Sequence, residues 1–83
     1  MAAPALLPDS DPELESLDPT SRARIGALWL SRAHNELKTS SVFCSLHREL
    51  MEFGAGIEVL EMSARAIAEE VRHARLCAEV AAR

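Results

Sequence analysis

The stretch Ala64–Ala82, ARAIAEEVRHARLCAEVAA, decides how this chain is read. It contains neither proline nor glycine and is built mostly of strong helix formers. Within it stands Glu70-Val71-Arg72-His73. A carboxylate and an imidazole three residues apart on a helix lie about 60° apart around the axis and one turn apart along it. Both can reach one metal ion, or a tight pair of ions.

Working outward, the helical pattern extends back to Ile57 or Glu58, with acid-before-base spacing at Glu61–Arg65 and Glu79–Arg83. Before it, Gly54-Ala55-Gly56 reads as a turn that stops an earlier helix. That earlier helix starts at Asp18-Pro19, where Asp18 can cap orphan amides and Pro19 fits the first helical position. The expected helices therefore span about 19–53 and 57–82, the first roughly 50 Å long at 1.5 Å per residue. The spacing predicts an all-α protein, an antiparallel helical hairpin over 19–83. Residues 1–18, punctuated by Pro4, Pro8 and Pro12, are expected to form a flexible acidic tail.

Composition narrows the function. Eighty-three residues allow one small domain. The net charge of −4 is uneven, because Asp9, Asp11, Glu13, Glu15 and Asp18 face no base before residue 20. The rest is close to neutral and has no basic face, which argues against nucleic acid as a partner. No apolar run approaches the ~18 residues of a membrane span. Met1–Pro8 lacks a basic leader and is a poor secretory signal. Cys44 and Cys77 have no framework spacing, so reduced thiols in a cytoplasmic protein are expected.

Helical-wheel phase singles out a third residue. With 100° per residue, Ile25, Trp29, Ala33, Phe43 and Leu50 fall within about 60° of Glu36. Leu30, Leu37, Cys44 and Met51 form a seven-residue series on the flank, while Arg24, Ser31, Lys38, Ser45 and Glu52 face away. Glu36 thus points into an apolar stripe, where an unpaired carboxylate is costly. On the second helix Val59, Ser63, Ala66, Ala74, Cys77 and Ala81 share the side of Glu70, with Ile67 and His73 flanking it. About Ala55 as the tip, Glu36, Glu70 and His73 differ in level by no more than about 6 Å.

Glu36, a turn midway, and then Glu70-x-x-His73 resemble the first half of the ferritin-like di-iron carboxylate superfamily. Trp29-Leu30, Val42-Phe43 and Glu69-Glu70-Val71-Arg72-His73-Ala74 are especially similar to its bacterial ferritin-like domains. The resemblance covers about residues 20–83. It implies Glu36 as a terminal iron ligand, Glu70 as a bridging carboxylate and His73 as a terminal imidazole. It also implies a four-helix bundle with a second Glu and a second Glu-x-x-His. This chain has two long helices, so its hairpin is expected to be half of such a bundle. Either a homodimer or higher homo-oligomer completes it, or the chain is part of a longer protein. The function implied is a di-iron centre that oxidises ferrous iron with oxygen or peroxide.

Plainer readings stand beside this one. Glu69–His73 can be a surface pair at four-residue spacing. His47 can cap the core near the turn, and both cysteines can be small buried hydrophobes. Cys44 and Cys77 differ by about 16 Å in level, so a zinc site with His47 and His73 is open only between subunits. The alternative for the whole chain is a metal-free helical dimerisation or interaction module.

Overall fold

The computed structural model describes residues 4–83. Three helices appear among them, α1 (Pro12–Glu15), α2 (Pro19–Phe53) and α3 (Ile57–Ala81), and no strand. Helices α2 and α3 pack against each other as an antiparallel hairpin, and the molecule measures 53 × 22 × 21 Å.

Local chemistry sets the ends of α2. Asp18 Oδ1 accepts from the Ser21 amide at 2.9 Å, and the Ser21 hydroxyl donates to Asp18 Oδ2 at 2.7 Å. These bonds hold the Asp18 carboxyl below its ordinary value, the Ser21 amide being the largest cause. Pro19 follows as the first helical residue, as its fixed φ and missing N–H favour. At the other end Gly54 takes a left-handed conformation, φ 84°, and the Ala55 amide donates to the Leu50 carbonyl at 3.0 Å. A Cβ on Gly54 meets nothing within 4 Å, so only backbone strain opposes a side chain there. Gly54→Ala is therefore expected to lower stability by about 1–2 kcal/mol, read from the urea unfolding midpoint.

The register is symmetric about Ala55 near the tip and drifts by a few residues toward the open end. His47 Nδ1 hydrogen-bonds the Ser63 hydroxyl, each eight residues from Ala55. Farther out Glu36 meets His73, and near the open end Arg22 Nε donates to the Arg83 carbonyl. The helices approach closely where Gly26 faces Ala81, whose carbonyl oxygen lies 3.0 Å from where a Cβ would stand.

The segment expected as a flexible acidic tail has defined structure over its described part; Met1–Ala3 lie outside the described residues. Asp11 caps the single turn α1 by accepting from the Glu13 and Leu14 amides. Upstream, the Leu6 and Leu7 amides donate to the Glu79 carboxylate at 2.8–3.2 Å. Leu7, Pro8 and Leu14 then line a cavity of about 280 Å³ together with Ile25, Trp29 and Val80. Glu79, spaced in the sequence for a pair with Arg83, instead grips this arm and pairs with Arg75 at 3.5 Å. The physical reason is that a carboxylate offered two adjacent amides as well as a guanidinium gains more than from one exposed pair.

The hairpin has very little core. Only Ala33, Ala74, Cys77 and Ser40 are buried among the described residues. Trp29 is half-buried, with the Arg32 guanidinium 5.0 Å from its ring centre. The flank series is solvent-exposed: Leu30 48%, Leu37 50% and Met51 58%, with Cys44 exposed as well. Cys44 is thus no buried hydrophobe in the hairpin, whereas Cys77 is. Two helices can cover only the side each turns to the other, and a wider apolar stripe stays wet.

Candidate metal centre

Two adjacent turns of α3 and one of α2 build the site. Glu70 and His73 are neighbours on α3 by helical spacing, and packing of the hairpin brings Glu36 opposite them. His73 Nδ1 lies 4.0 Å from Glu36 Oε2 and 3.9 Å from Glu70 Oε2. One donor atom from each of the three residues lies within 4.8 Å of the others. Donors on a six-coordinate ion of this size stand ~3 Å apart when adjacent and ~4 Å when opposite. A small side-chain contraction is enough to close the set on an ion.

Burial is graded across the site. The Glu70 side chain is 19% exposed, Glu36 33% and His73 47%, so one wall is protein and the other is open. Glu70 Oε2 is buried and has no hydrogen-bond partner. That is an unfavourable position for a carboxylate oxygen unless a proton or a cation joins it. Glu70 is correspondingly held above its ordinary value. The largest cause is the facing Glu36 carboxyl, with which Glu70 can share a proton, followed by burial and the Glu36 charge, with His73 pulling the other way.

The sign of the resulting pH dependence follows from linkage. A carboxyl whose folded value lies above its unfolded one favours the folded chain while it is protonated. Metal-free stability is therefore expected to fall as pH rises from the unfolded value near 4.5 through the raised folded value. Metal affinity should rise through the same window, because the ion displaces that proton. Thermal melts with and without divalent ion across this range check both, and Glu70→Gln should flatten the metal-free dependence.

The structure brings together all three residues singled out in the sequence, Glu36, Glu70 and His73. His47 stays apart, occupied by Ser63 near the tip. Ser63 was read only as a small residue on the Glu70 side; its pairing with His47 is legible only from matching distances to Ala55. Cys44 and Cys77 lie in different environments and join no group of three metal-ligating side chains among the described residues. Comparison with protein-family models, with curated proteins and with solved structures finds no match. No described helix is long and apolar enough to cross a membrane.

Proposed function

We propose that the chain is a ferritin-like iron-binding hairpin that pairs with a second copy and oxidises ferrous iron. The observation that carries this reading is the Glu36–Glu70–His73 cluster, whose most buried carboxylate oxygen has no partner. Carboxylates with an imidazole suit ferrous iron and leave coordination positions free. The open side, toward Glu36 and His73, is where a second hairpin adds the same three residues. Two copies then supply four carboxylates and two imidazoles, enough to hold two ferrous ions as substrate. Each ion gives up one electron, and dioxygen takes both with two protons to leave as hydrogen peroxide. With peroxide as oxidant the same two electrons and two protons yield water. Glu36, Glu70 and His73 hold the ions, and the low exposure of Glu70 restricts water on the protein side.

Exposed Leu30, Leu37, Met51 and Val71 favour pairing of helices whether or not metal is bound. They support the competing reading, a metal-free dimerisation module. Anaerobic titration with ferrous iron on size-selected protein, followed by air, separates the two. About two irons per pair, with a ferric absorption band after air, support the di-iron reading. A pair that takes up no iron leaves the structural module.

A further inference from the structure

His73 stands between acidic groups on both edges of its ring. Nδ1 faces Glu36 and Glu70, while Nε2 lies 3.8 Å from Glu69 Oε2. The consecutive acids achieve this by geometry: Glu70 approaches from three residues away on α3, Glu69 from four. About 100° separates them around the axis, so they address opposite edges of one imidazole. Glu69 makes no other ion pair among the described residues.

A neutral imidazole carries one N–H and one lone pair, and only the lone pair binds a metal. A carboxylate accepts and cannot donate. Resting on the metal-site reading above, we propose that Glu69 is a positioning residue that holds the proton on His73 Nε2. The Nδ1 lone pair is thereby turned toward Glu36 and Glu70. Without Glu69, only water is left to accept at the half-exposed Nε2 edge, and the carboxylates at Nδ1 draw the proton toward the atom that must bind the ion. Glu69 therefore opposes the wrong tautomer and fixes the ring plane, and it acts through His73 rather than on the ion.

The test compares full-length wild type with Glu69→Gln and Glu69→Ala. Zinc ion serves as a diamagnetic probe, at about pH 8, where an ordinary imidazole is neutral. Nitrogen-15 spectra of the metal-free proteins are expected to show the Nδ1–H fraction of His73 rising in Glu69→Ala. Zinc affinity by calorimetry should fall by about 10–100-fold in the same variant, as loss of an outer-shell partner does. Glu69→Gln, which keeps an acceptor oxygen without charge, should retain more affinity than Glu69→Ala. An unchanged tautomer, or equal loss in both variants, overturns the positioning role, the second outcome leaving only a charge effect. If wild type binds no zinc, the metal-site reading falls, and the tautomer ratio still decides the role of Glu69.

Discussion

Replacing Glu70 by alanine is expected to abolish ferrous-ion uptake while leaving the metal-free hairpin as stable as before, or more so. The two effects have one cause. Glu70 is the least exposed of the three candidate ligands, and its Oε2 has no hydrogen-bond partner. It also faces Glu36 closely enough for the Glu36 charge to oppose its ionisation. Removing it relieves that opposition, as replacing buried charges often does. Binding, in contrast, loses the donor that links the other two. Outer-shell partners cost about 10–100-fold in affinity, and loss of a direct ligand should exceed that. Anaerobic titration gives the affinity and thermal melts give the stability. A variant that binds iron like wild type would remove Glu70 from the site. One that melts well below wild type would make it a structural residue.

Phe43→Asp is expected to dissociate the proposed pair of hairpins. Phe43 is half-buried in the hairpin and lies about 20° from Glu36 on the helical wheel, on the side that a second copy would cover if it completed the Glu36–Glu70–His73 site. Burying a phenylalanine contributes about 1.5–3 kcal/mol. A twofold pair counts it twice, so association should weaken by at least ~100-fold before the cost of a desolvated carboxylate is added. Sedimentation over a wide concentration range measures this directly. The melting temperature, concentration-dependent for a pair that folds on association, should become independent of concentration. Ser45→Asp, which adds the same charge on the side facing away from Glu36, is the control and should pair normally. Equal pairing by both variants would exclude this face as the interface.

The helices were legible because their signals are local. Asp18-Pro19, Gly54-Ala55-Gly56 and uninterrupted helical spacing placed both long helices within a residue of where they lie. The phase of Glu36, Glu70 and His73 was legible too, since a regular helix converts sequence number into angle and level. Where the reading departed from the structure, the determining contacts are distant or absent. The Leu6 amide and the Glu79 carboxylate are 73 residues apart, and neither segment announces the other. Cys44 sits on the apolar flank but is exposed, because wheel phase marks which side a residue is on and not whether anything covers that side.

By itself the sequence determined two helices, the turn between them, and three metal-capable side chains at one level on facing stripes. Those properties depend on backbone geometry that repeats every 3.6 residues. Only the tertiary structure decided that the arm folds onto the open end, that Glu70 carries the orphaned oxygen, and that His73 stands between Glu69 and the Glu36–Glu70 pair. Burial, hydrogen-bond partners and ring orientation depend on how two helices settle against each other, and no period along one chain encodes that.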